Sequence, residues 1–180
     1  MNNRFGFTLI ELIVVITIIG ILSTIGFSSY VKIQKTSRAS RMAADFQQIE
    51  LAWKVWKNAN DKTYPLDAPT NRPPCGNVDA LNVSATGANL YLDQKYKDPW
   101  GEEYMYDNDG DTYSGGNILA GVNLIAWWCP GNGQKYIEVA AIMDKSIDNG
   151  DGPSTGKLRW STNPNFAGGI VFMIARALDQ

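Results

Sequence analysis

From Phe7 to Phe27 the chain runs 21 residues with one charged side chain, Glu11. As a helix rising 1.5 Å per residue, such a stretch is about 31 Å long, enough to cross a hydrocarbon core about 30 Å thick. A secretory signal is the competing reading. It fits poorly, because the apolar run exceeds the roughly 7 to 15 residues of a signal's hydrophobic region and no A-x-A-like site follows. Ser28-Ser29-Tyr30-Val31 instead carries the helical pattern onward. The expected element is therefore a membrane span that continues as a helix beyond the bilayer.

Glu11 separates a plain anchor from something more specific. An ionised carboxylate inside a span costs about 2.5 to 3.5 kcal/mol even on a lenient insertion scale, so it calls for a positive partner at its own depth. A free α-amine made by cleavage just before Phe7 would supply one. The run Gly6-Phe7-Thr8-Leu9-Ile10-Glu11-Leu12, followed by Ile13-Val14-Val15-Ile16, resembles the N-terminal signature of type IV pilins and type II secretion pseudopilins. The resemblance implies that a prepilin peptidase removes residues 1–6 as a leader by cutting after Gly6. It also implies N-methylation of Phe7, and pairing of Glu11 with the amine of a neighbouring subunit during assembly. Many pilins carry a proline about 21 residues after the cut; here that position is Ser28. Gly20 and Gly26, each about 1 kcal/mol worse than Ala in a helix, mark where the resemblance implies partial melting during assembly, and the missing proline counts against it.

Between Tyr30 and Asn60 there is neither Pro nor Gly, and Met42, Phe46, Ile49, Trp53 and Trp56 fall at spacings of 4, 3, 4 and 3. That is one apolar stripe of an amphipathic helix. The same spacing serves a coiled-coil seam, but two tryptophans suit packing beneath a sheet better than knobs-into-holes geometry. The organisation expected is a leader over 1–6, a transmembrane and assembly helix over 7–27, its amphipathic continuation over 28–62 and a globular head over 63–180. Lys32, Lys35, Arg38 and Arg41 follow the span, as a solvated face or a contact to anionic lipid.

Beyond Asn60 the texture changes to turns and short apolar runs, so the head reads as a small antiparallel β-sheet and the whole chain as α+β. Residues 63–89 carry Pro65, Pro69, Pro73 and Pro74 and read as a surface loop. Asp98-Pro99-Trp100-Gly101 has type I turn chemistry and leads into a strand at Glu103–Tyr106. This D-P-W-G turn is similar to one in the major pseudopilin of type II secretion. Further strands are expected at Val122–Trp128, Tyr136–Met143, Lys157–Trp160 and Ile170–Ile174, with hairpins across Pro130–Gly133 and across an acidic loop at Asp148–Gly152.

Two cysteines, Cys75 and Cys129, are too few and too far apart for a C-x-x-C motif or a zinc site. They serve one structural disulfide, closing a loop of roughly 55 residues worth about 4 kcal/mol in the chain-entropy model, or stay as two buried thiols. Asp107, Asp109 and Asp111 alternate as in the first half of a calcium loop, but Thr112 and Ile118 stand where an EF-hand requires Gly and Glu. Asp148 and Asp151 form the second acidic loop. Ca2+ bound through both loops and a solvated hairpin turn are the alternatives, and no cofactor is otherwise required.

Composition narrows the function classes. The chain has no histidine, which removes the usual triads and most zinc sites and leaves neither a Ser-His nor a Cys-His arrangement. Sixteen basic against eighteen acidic residues, scattered, leave no footprint for nucleic acid as a primary partner. A single-span anchored binding or hydrolytic module is the distant alternative to a non-enzymatic filament subunit. Within the filament class the resemblance admits a type IV pilus or the major pseudopilin of a secretion system. It implies as partners other copies of the chain, other pilins, the peptidase, an inner-membrane assembly platform and the lipid bilayer. The head would lie outside the cytoplasm, in a periplasmic or extracellular filament.

Overall fold

The computed structural model describes residues 7–60, 63–64, 75, 81–82, 91–92, 96–108 and 121–176. Helix α1, Leu9–Ala59, has 51 residues and is about 77 Å long at 1.5 Å per residue. It passes through Gly20, Gly26 and Ser28 unbroken. Its apolar half contains hydroxyls that would be costly in lipid if unpaired, and three of them bond back to their own helix: Thr17 Oγ1 to the Ile13 carbonyl at 2.7 Å, Ser23 Oγ to Ile19 at 2.7 Å and Thr24 Oγ1 to Ile21 at 2.8 Å. The helix stops at Asn60, which donates its N–H and its Nδ2 to the Trp56 carbonyl.

The remaining elements are β1 (Leu81–Asn82), β2 (Met105–Asp107), β3 (Gly121–Trp128), α2 (Gly133–Ile147), β4 (Leu158–Trp160) and β5 (Gly168–Arg176). The five strands form one sheet in the order β1-β2-β3-β5-β4, antiparallel at every pairing. The α+β architecture expected from the sequence, a long helix against a small antiparallel sheet, is the one observed. Met42, Phe46, Ile49 and Trp53 are fully buried and pack with Tyr106, Leu124, Ala126, Leu158, Ile170 and Phe172. Rings meet across this layer, Phe46 with Phe172 at 5.4 Å and Trp53 with Tyr106 at 4.4 Å between centroids. The stripe is thus a sheet-packing face and not a coiled-coil seam. The opposite face of the sheet buries Met105, Ile125, Trp127 and Val171 in a second cluster, against which Cys75 and Ala167 pack. With both faces covered, every residue of β3 is buried, which is why its sequence shows almost no polar alternation.

One expected strand is a helix. Tyr136–Met143, expected as a strand from its near-continuous apolar run, lies within α2, and the hairpins expected on either side of it do not form. β3 pairs instead with β5, from Gly121 opposite Arg176 to Trp128 opposite Gly168. The physical reason is the spacing: Tyr136, Val139, Ala140 and Met143 stand at positions 0, 3, 4 and 7, all are buried, and α2 lays them against α1 and the sheet. Gly133 lets this helix start tightly beside β3, since a Cβ there would lie 2.5 Å from Trp128 Nε1 and 2.6 Å from Pro164 Cα.

Candidate functional site

Among the described residues, polar chemistry is found at three places. The first is the start of α1. Thr8 caps the helix and Glu11 reaches back to it: the Thr8 N–H and hydroxyl both donate to Glu11 Oε2 at 2.8 Å, and the Glu11 N–H donates to Thr8 Oγ1 at 3.3 Å. This is a complete capping box. In the single chain Glu11 therefore satisfies its own helix terminus, and its carboxylate sits at the positive end of the helix dipole. Phe7 is 86% exposed, and the large apolar side chains from Leu9 to Leu22, with Phe27, are exposed as well. Gly6 lies outside the described residues.

The second place is the joint between helix and head. Gly101 N–H donates to the Asp98 carbonyl at 3.0 Å, closing the expected turn, while Asp98 Oδ1 accepts from the N–H groups of Trp100 and Glu102. Its other oxygen accepts from Tyr136 Oη at 2.5 Å, which ties the turn to α2. Asp45 of α1 accepts from Tyr104 Oη at 2.9 Å. Burial, then the neighbouring carboxylate, pushes both phenols well above their ordinary range. Burial also raises the Asp45 carboxyl, against the lowering effects of the Tyr104 hydroxyl and Arg41. Lys35 of α1 and Glu138 of α2 meet at 2.9 Å.

The third is the loop after α2. Asp144, Asp148 and Asp151 each offer an oxygen within 4.8 Å of the others. Asp144 is buried; its Oδ2 accepts from the Gly152 N–H at 3.1 Å, whereas Oδ1 is buried with no hydrogen-bond partner. Desolvation raises its pKa, and the charges of Asp151 and Asp148 push the same way. Asp148 Oδ2 accepts from the backbone N–H groups of Lys157 and, at 2.9 Å, Leu158. Like charges at this spacing repel by about 1 kcal/mol per pair in water-like surroundings and about 3 kcal/mol at an effective dielectric constant of 20. An all-oxygen donor set with a buried orphan oxygen, at the negative end of a helix, fits a hard cation such as calcium. A complete shell of six to eight oxygens would need further carbonyls or waters beside the three carboxylates.

Asp144 was not among the sequence candidates. Its signal was the i,i+4 spacing to Asp148, which means proximity only once the segment is known to be helical. Asp107 is not part of this cluster: it lies in β2, buried, and accepts from Asn123 Nδ2 at 3.0 Å. Its place inside a paired strand, rather than in a loop, separates it from Asp148 and Asp151. Asp109 and Asp111 lie outside the described residues. Cys75 and Cys129 are joined in a disulfide with Cα atoms 5.5 Å apart, and Trp127 Nε1 donates to the Cys75 carbonyl at 3.1 Å. Trp128 donates to the Phe166 carbonyl and stacks on Tyr136, so both tryptophans are core residues.

Residues 1–27 match the family described as the prokaryotic N-terminal methylation motif. The chain is 30% identical over 116 residues to the type II secretion system core protein G of Vibrio cholerae, covering 62% of this chain and 75% of that one. The chain belongs to the pilin and pseudopilin family. Core protein G of Pseudomonas aeruginosa is 32% identical over 110 residues, 58% of this chain and 74% of the relative. That of Escherichia coli is 30% identical over 114 residues, 61% and 76% respectively. No solved structure matches the chain. The matched motif covers the exposed apolar half of α1, and the half that follows packs against the head.

Proposed function

We propose that this chain is a structural subunit of a pilus-like filament, most closely the pseudopilus of a type II secretion system. The observation that carries the reading is a single unbroken helix with two solvents: its first half exposes apolar side chains all round, and its second half is the inner wall of the head. The three relatives are named type II secretion core protein G, which favours the pseudopilus. The Cys75–Cys129 disulfide supports a type IV pilus subunit as the second reading.

In this reading a prepilin peptidase cuts after Gly6 and Phe7 is methylated on its new amine. The span of α1 holds the subunit in the inner membrane with the head on the periplasmic side until an assembly platform extracts it. Glu11 then exchanges its bonds to Thr8 for the charged amine of a neighbour, which removes the cost of a lone carboxylate among apolar helices. Asp144, Asp148 and Asp151 hold a calcium ion that neutralises their mutual repulsion and fixes the loop entering β4. The chemistry is assembly rather than turnover.

The test is co-expression with a prepilin peptidase and the assembly platform, followed by intact mass and filament shearing. Loss of residues 1–6 with one added methyl group, and sheared filaments that disappear in Glu11→Ala, are expected. An uncut chain, or undiminished filaments in the variant, would overturn the processing and the Glu11 role respectively.

A further inference from the structure

We propose that Lys157 transmits cation occupancy of the acidic loop to the second half of α1, so that a bound divalent cation tightens the head's hold on its own helix. This inference rests on the reading of Asp144, Asp148 and Asp151 as a cation site. What it adds is a mechanical consequence at a residue outside the donor set.

The path is continuous in bonded contacts. Asp148 Oδ2 accepts from the backbone N–H of Lys157 and of Leu158, so the position of one carboxylate sets where β4 begins. From that anchored backbone the Lys157 side chain passes over the Phe172 ring, its Nζ 4.3 Å from the centroid, and ends on Glu50 of α1, donating to Oε1 at 2.9 Å and Oε2 at 3.0 Å. Glu50 is buried and lies beside Ile49 and one turn from Trp53, both fully buried. The tie therefore links residues 107 positions apart across the main packing layer.

The loop has a reason to change with occupancy. Asp144 Oδ1 is buried without a donor, and two more carboxylates crowd it. Repulsion favours outward displacement of Asp148, which is less buried than Asp144, and that displacement would take the Lys157 and Leu158 N–H groups with it. A divalent cation reverses the sign of the interaction among the three carboxylates and pins Asp148 where its other oxygen grips β4. Lys54 also contacts Glu50, at 2.9 Å, so removing the Lys157 ammonium breaks the tie without leaving Glu50 as an unpaired buried charge. Lys157→Met keeps an apolar stem of similar length over Phe172 and is the appropriate variant.

The full chain in detergent would be titrated with calcium chloride by calorimetry, and hydrogen exchange followed by mass spectrometry with and without the ion. In the wild type, calcium should slow exchange by about fivefold or more both in residues 148–160 and in residues 50–59 of α1, as local opening is suppressed. Lys157→Met should bind calcium within about threefold of the wild type and keep the protection of the loop, while losing that of the helix. Glu50→Leu removes both acceptor oxygens and so breaks the tie from the other side, should give the same separation, and decides the matter if Lys157→Met fails to fold. Calcium binding with no helix protection in the wild type, or helix protection that survives both substitutions, would overturn the coupling and leave the cation site standing. Absence of any calcium binding to the wild type would overturn the cation reading itself, and the coupling with it.

Discussion

Replacing Gly156 by Ala tests the geometry of the acidic loop more sharply than removing a carboxylate does. Gly156 has φ +69°, and a Cβ there would overlap Asp148 Oδ2 and stand 2.5 Å from Asp151 Oδ2. Two costs follow. A left-handed conformation at a residue with a side chain costs about 1 to 2 kcal/mol. The overlap then forces Asp148 away from the Lys157 and Leu158 N–H groups, and hydrogen bonds to a charged group are worth about 1.5 to 3 kcal/mol each. With partial relaxation, a total of about 3 to 5 kcal/mol is expected. Gly150 supplies the control. Its φ is +77°, but the nearest atom to an added Cβ is Lys145 Cγ at 3.6 Å, an ordinary contact. Gly150→Ala should therefore show the backbone cost alone, about 1 to 2 kcal/mol. Both variants would be unfolded by denaturant in detergent, monitored by the near-ultraviolet signal of the buried tryptophans. Equal losses in the two would refute the claim that the carboxylates occupy the space beside Gly156.

Two further perturbations address the helix and the joint. Trp53→Ala removes a fully buried side chain that meets Tyr106 and should cost about 3 to 5 kcal/mol, whereas Leu51→Ala, on the exposed face of the same helix, should stay within about 0.5 kcal/mol; denaturant midpoints check both. Asp45 has a folded-state pKa raised from 3.8, first by desolvation, so the folded protein holds its proton more tightly than the unfolded chain. Its contribution is most favourable when protonated and declines as pH rises from about 3.8 through the raised value. Unfolding free energy measured across that window should fall less steeply in Asp45→Asn, which keeps an acceptor for Tyr104, and an unchanged slope would remove Asp45 as its source.

The long helix was legible because its two signals are local: 21 residues with one charge, then apolar residues at helical spacing up to Trp56. The strands at Val122–Trp128 and Ile170–Ile174 were legible for the same reason, although β5 extends further at both ends. α2 was not. Val139, Ile137 and Ile142 favour a strand by intrinsic preference, but that preference measures fit to a half-buried pleated surface, and here the surface offered was the groove beside α1. The positions 136, 139, 140 and 143 carried the helical period all along. Asp144 was lost with that element, since a strand reading sends it away from Asp148. The buried pairs Asp98–Tyr136 and Asp45–Tyr104 join residues 38 and 59 apart, and no periodicity in one sequence reports contacts of that range.

The two halves of α1 set the energetic terms of assembly. Among the described side chains from Phe7 to Phe27, thirteen large apolar ones are exposed, each between 47% and 86%. At about 1.5 kcal/mol for each such side chain transferred between water and an apolar medium, moving the span into water would cost on the order of 20 kcal/mol. A domain of this size has only about 5 to 15 kcal/mol of stability to draw on. The head therefore cannot pull its own helix out of lipid into water and stay folded; the span has to pass from lipid directly to the spans of other copies. That places the selection for assembly on the apolar half, where Glu11 is the one charge, and leaves the buried stripe from Met42 to Trp53 to hold the head rigidly to the helix as it moves. Tightening that hold through the loop at Asp148 and Lys157 would act on the head without touching the surface on which the filament is built.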